Sequence, residues 1–97
     1  MEISTSDNIV TIDGNIKSVN DFQSIKESID STINKHKYIT INIIDSLSIT
    51  SSVIGYLNKL VLNDGIDISM NIGNIQLIEL LDDLNLSSTF KAKKAQA

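Results

Sequence analysis

The chain is expected to fold as one α/β domain, an open mixed β-sheet packed against helices. Three observations lead there. Segments with a two-residue apolar period alternate with segments of helical period, β-branched residues crowd into the former, and 97 residues are enough for one core but not for two. A single domain over residues 1–97 follows, with about 91–97 expected to form a flexible basic tail.

In chain order, Glu2 to Thr5 is a possible first short strand, and Ile9 to Ile16 (IVTIDGNI) sets Val10, Ile12 and Ile16 in one alternating register. Its Asp13-Gly14 dipeptide tolerates positive φ, so the segment is read as strand, bend, strand. Phe22, Ile25, Ile29 and Ile33 then recur at spacings of three and four, which puts a helix over roughly Asn20 to Lys35. Asn20 and Gln23 have the spacing of a capping box at its start.

Tyr38 to Ile44 (YITINII) is dense in β-branched residues, with apolar side chains on both pleat faces, as in a central strand covered by helices on at least one side. Val53, Ile54, Leu57, Leu60 and Val61 form the stripe of a second helix over Ser51 to Leu62, ended by Asn63-Asp64-Gly65 with glycine as a left-handed stop. Ile66, Ile68, Met70 and Ile72 alternate as a strand, and Ile75, Ile78, Leu81 and Leu84 return to helical spacing. Helices alternating with strands favour right-handed crossovers, and sites in such sheets gather beyond the carboxyl ends of strands. That directs attention to the segment Asp45 to Ser52, which follows the central strand.

Composition narrows the function. With 41% hydrophobic and 21% charged residues the chain should fold throughout. A net charge of −4 argues against nucleic acid as a partner, and the one basic cluster, Lys91 to Lys94, reads as solvated tail. No cysteine is present, which removes disulfides and thiol chemistry. Neither a membrane span nor a secretory leader is readable, so a cytoplasmic protein without direct membrane insertion is expected. The sole histidine, His36, lies in a polar stretch after a helix and reads as surface. Glu79 with Asp82 and Asp83, or Asp64 with Asp67, lack recognised metal spacings. No nucleophile–base pair or phosphate-cradling glycine loop stands out, so neither an enzyme nor a chain carrying its own cofactor is expected.

The segment IIDSLSITSSVIGYL is the most informative. A hydroxyl at a helix start is well placed for a phosphate, which adds about −1.5 to −2 charges and several acceptor oxygens. Backbone N–H groups and the helix dipole accommodate such an anion without unfolding the domain, while an apolar or acidic partner surface is repelled by it. The plainer reading is that Ser51, Thr50 or Ser48 simply caps the helix.

This segment resembles the STAS family, which follows its central strand with an Asp-x-Ser type turn and then Asp-Ser-Ser-Gly at the next helix. VTIDGNI looks like the family's early strand and glycine turn, and IDISMNIGNIQLIELLDDLNLSSTF like its closing strand and helix, so the resemblance covers nearly the whole chain. It is strongest to the anti-sigma-factor-antagonist type. The resemblance implies phosphorylation at Ser51, with Ser52 and Thr50 as alternates, and a partner surface including Asp45, Ser46, Ser48, Thr50, Ser51 and Ser52. It further implies an anti-sigma-factor-like serine kinase as protein partner, with a serine phosphatase to reverse the modification.

Two departures stand out: Thr50 occupies the place of the usual acidic residue, and Val53 that of glycine. They motivate a second reading, an unswitched STAS subunit of a signalling or transport complex. Asp45-Ser46-Leu47 also matches the Asp-Ser-Leu signature of acyl carrier proteins, with Ser46 as the phosphopantetheine site, although the strand-like segments disagree with an all-helical carrier.

Overall fold

The computed structural model describes residues 1–95. Its elements run β1 (Glu2–Ser6), β2 (Ile9–Asp13), α1 (Val19–Ile33), β3 (Tyr38–Ile43), α2 (Ser51–Leu62), β4 (Asp67–Ile72), α3 (Ile75–Asp83), α4 (Ser87–Phe90) and β5 (Ala92–Lys94). The strands form one sheet in the order β1-β2-β3-β4-β5, antiparallel at β1–β2 and parallel elsewhere. This is the expected open mixed α/β sheet. No helix among the described residues is long and apolar enough to cross a membrane.

Pleat alternation sorts the sheet into two unlike faces. On one, Val10, Ile12, Ile39, Ile41, Ile43, Ile68, Met70 and Ile72 are buried, and they form a single core with Ile25 and Ile29 of α1, Val53, Leu57 and Leu60 of α2, Leu77 and Leu81 of α3, and Phe90 of α4. All four helices therefore share that face. The other face is polar. The strand registers align Ser4, Thr11, Asn42, Asn71 and Lys93 in one row across all five strands, and Asn71 Nδ2 donates to Asn42 Oδ1 at 2.9 Å. Parallel sheets are ordinarily covered on both sides; here short hydroxyls and amides make helical cover unnecessary on the second.

This corrects the reading of YITINII as apolar on both faces. Ile44 lies beyond the end of β3, and Tyr38 sits exposed at its start, leaving Thr40 and Asn42 on the open side. Near the amino terminus, the strand, bend, strand expected around Asp13-Gly14 is instead a hairpin turning at Asp7-Asn8, with Asp7 at φ +51°. Gly14, at φ +103°, ends β2 and leads the chain toward Ile16, which is buried beneath the helices rather than paired in a strand.

The start of α1 also differs from expectation. Ser18 is the N-cap, and a capping box forms with Asp21 rather than between Asn20 and Gln23: Asp21 N donates to Ser18 Oγ at 3.0 Å and Ser18 N donates to Asp21 Oδ2 at 3.2 Å. The N–H of Lys17 also donates to Asp21 Oδ2, and these backbone donors hold the Asp21 carboxyl below its ordinary range.

The largest correction concerns the carboxyl end, where residues expected to form a solvated tail add a fifth strand. Lys91 turns through φ +49° and pairs with Asp67 at 2.7 Å, after which Ala92–Lys94 lies parallel to β4. Residues 96 and 97, the remainder of the expected tail, lie outside the described residues.

Candidate functional site

The segment after β3 must travel from the carboxyl end of the central strand to the start of α2, and it uses residues 44–50 to do so. Asp45 makes the first bend in the left-handed region, at φ +41°, a conformation that aspartate tolerates better than most residues. Ser46 then turns inward and is 0% exposed. Its Oγ accepts from Ile16 N at 3.2 Å and donates to the Ser48 carbonyl at 2.8 Å. Ser48 Oγ donates to the Ile16 carbonyl at 2.9 Å, and Leu47 N donates to Asn15 Oδ1 at 2.9 Å. Three hydrogen bonds thus fasten the loop after β3 to the loop after β2, and the Ser46–Ser48 bond closes the loop on itself, satisfying polar groups that burial would otherwise penalise.

The fastened loop delivers Thr50 as the N-cap of α2, its Oγ1 accepting from Val53 N at 3.3 Å. Ser51 and Ser52 are the first two helical residues, and both are exposed. The helix bounds match those expected. No acidic side chain lies in the first turn, so the amino-terminal end of α2 carries its backbone dipole unneutralised by a carboxylate of its own.

The expected partner-surface residues therefore divide. Asp45, Ser51 and Ser52 are exposed, and Thr50 is half-buried with its hydroxyl oxygen serving as the cap. Ser48 is half-buried and braces the loop, while Ser46 is wholly internal and contacts no solvent. This corrects the assignment of Ser46 to the partner surface. It also removes Ser46 as a phosphopantetheine site, since that hydroxyl is enclosed and the all-helical carrier architecture is replaced by a five-stranded sheet. Val53 points into the core, 1% exposed, so its branched side chain does not stand in the path of a macromolecule approaching Ser51.

A second arrangement ties α2 to α1. Tyr56 Oη donates to Asp30 Oδ1, Lys26 bonds Asp30 Oδ2 at 2.9 Å, the Lys26 ammonium lies 5.6 Å from the Tyr56 ring centre, and Phe22 meets Tyr56 edge-on at 6.1 Å. Partial burial pushes the Asp30 carboxyl up, but bonds from Lys26 and Tyr56 outweigh that and hold it below its ordinary range. Burial and the Asp30 carboxylate together push the Tyr56 hydroxyl well above its ordinary range. The Lys26–Asp30 pair was legible as an i, i+4 spacing; its third member, on another helix, was not.

The remaining candidates have ordinary partners. His36 is half-buried with its ring edge-on to Tyr38, Asp67 pairs with Lys91 rather than joining Asp64, and Asp82 accepts from Ser87 Oγ. Among the described residues no three histidine, aspartate or glutamate side chains gather to hold a metal ion.

Sequence patterns gave no sign of the exposed apolar rim at this end of the sheet, formed by Ile44, Leu47 and Ile75. Ile44 and Ile75 were counted within apolar stripes, and only the ends of β3 and α3 reveal that both fall just outside the core. Comparison of the chain with protein-family models, with curated proteins and with solved structures finds no match.

Proposed function

We propose that this chain is a STAS-like binding module of the anti-sigma-factor-antagonist type. In this reading it is a non-enzymatic cytoplasmic protein that binds an anti-sigma-factor-type serine kinase, and phosphorylation of Ser51 releases that partner. The observation that carries the reading is Ser51 itself: an exposed hydroxyl at the first position of α2, while the neighbouring Thr50 takes over capping. The structural duty that would compete with modification is thus performed by a different residue.

The physical switch is local. Transfer of the γ-phosphoryl group from ATP to Ser51 Oγ, with the hydroxyl proton lost and ADP released, would place a dianion where the helix start can stabilise it. The helix would persist, but the docking surface would gain charge that an apolar or acidic partner must desolvate or repel. A serine phosphatase would restore the neutral surface by hydrolysis.

Both departures from the family motif have a structural place that leaves Ser51 exposed. Thr50 replaces an acidic residue yet supplies the cap, and Val53 replaces glycine yet faces the core. Neither side chain therefore obstructs the switched reading, and the constitutive scaffold subunit remains the alternative that they motivate.

The test is incubation with an anti-sigma-factor-type serine kinase and ATP, followed by site-mapping mass spectrometry and affinity measurement. One phosphate on Ser51, absent from Ser51→Ala, with weakened binding in Ser51→Asp, is the expected result. Modification confined to residues outside Thr50–Ser52, or unchanged affinity in Ser51→Asp, would overturn it.

A further inference from the structure

The carboxyl end of the sheet carries more than the helix start. Ile44, Leu47 and Ile75 are 47%, 52% and 53% exposed, although each is a large aliphatic residue. They are not scattered. Leu47 and Ile75 line one shallow depression floored by Gly73 and Asn74, and Ile44 lines an adjoining one over the same two residues. The apolar rim is therefore continuous and centred on the end of β4.

Charge is arranged around this centre with a definite polarity. Asp13 and Asp45 border the side over β2 and β3, whereas Lys93 and Lys94 border the side over β5. All four are exposed. With strands about 4.8 Å apart, the lysine flank over β5 lies roughly 10 Å across the sheet from the end of β3 and roughly 14 Å from the end of β2. An apolar centre between a carboxylate flank and an ammonium flank is complementary to itself when turned through 180°, because each flank then meets its opposite.

We infer that this face is the contact between two copies of the chain in a two-fold dimer, with Ile44, Leu47 and Ile75 at its centre and Asp13 and Asp45 of each copy facing Lys93 and Lys94 of the other. The inference stands independently of any phosphorylation at Ser51. The central aliphatic groups supply the favourable burial, while the flanking pairs set orientation and exclude shifted packings.

Sedimentation equilibrium of the full chain over a range of concentrations tests it. The wild type is expected to pass from monomer to dimer, and Leu47→Asp or Ile75→Asp to raise the dissociation constant at least about tenfold. Ile75 opens α3, where a carboxylate suits the helix dipole, so that variant should fold even if another does not. The decisive arm uses charge exchange. Asp13→Lys with Asp45→Asn, and separately Lys93→Glu with Lys94→Glu, should each be monomeric alone and should pair when mixed. A wild type that stays monomeric up to about 1 mM, a concentration at which a dimer of even millimolar affinity would be populated, would overturn the inference. So would a dimer that none of these substitutions weakens, or charge variants that remain monomeric when mixed.

Discussion

Two connections leave the same end of the sheet and do the same topological work on different terms. The link from β4 to α3 uses only residues 73 and 74, and Asn74 completes it by accepting from Gln76 N at 2.8 Å as the α3 N-cap. The link from β3 to α2 uses residues 44–50, beyond the usual two to six for such a turn, and depends on Asn15 and Ile16 from thirty residues earlier. A short link is fixed by local backbone rules; a long one must borrow partners from elsewhere in the fold. The longer link is also the one that presents Ser51, so the candidate switch rests on non-local support.

The greatest expected effect comes from removing that support. Ser46→Ala strips the acceptor from the buried Ile16 N–H, and urea unfolding should show a loss of about 1–3 kcal/mol. Faster amide exchange at Ile16 should accompany it, and a loss below experimental error would mean that the loop can be secured without Ser46. Next comes the bend at φ +41°: Asp45→Val should cost about 1–2 kcal/mol because a β-branched side chain crowds the left-handed region, whereas Asp45→Asn should be close to neutral. Equal costs for the two would show that side-chain charge, not backbone conformation, matters there.

The short link should suffer only its local penalty. Asn74→Ala is expected to cost about 1 kcal/mol, the ordinary worth of a helix cap, with the loop after β3 unaffected in amide exchange. The smallest effect belongs to the far side of α2, where the depressed Asp30 carboxyl contributes stability that is present above its unfolded value of 3.8 and lost as pH falls through its lower folded value. Tyr56→Phe removes one of the bonds that lower it, so the stability gap between wild type and variant should narrow as pH drops below about 4. A gap independent of pH would assign the role of Tyr56 to packing alone.

The same contrast explains what could be read from the sequence. The bounds of α2 and the buried alternation of Ile66, Ile68, Met70 and Ile72 were legible because period and burial agree over many residues. The cap of α1 was misplaced because Val19, its first helical residue, is 75% exposed and contributes nothing to the apolar stripe. β5 was missed for a different reason: three residues carry too little periodicity, and their pairing is decided by β4 more than twenty residues earlier. At the candidate site, a serine at a helix start was visible in the local pattern. The inward turn of Ser46 was not, since its partner Ile16 is remote in sequence and offers only backbone groups.

The row from Ser4 to Lys93 has an architectural consequence. Because that side of the sheet is wettable, an added helix or a neighbouring module would gain little by stacking on it, and the hydration of the Asn42–Asn71 pair would resist displacement. Growth in the plane meets a different obstacle, since the outer margin at β5 is only three residues long and bears Lys93 and Lys94, features that discourage strand addition. A mostly parallel sheet can thus stop at two layers, kept thin by the chemistry of its bare side.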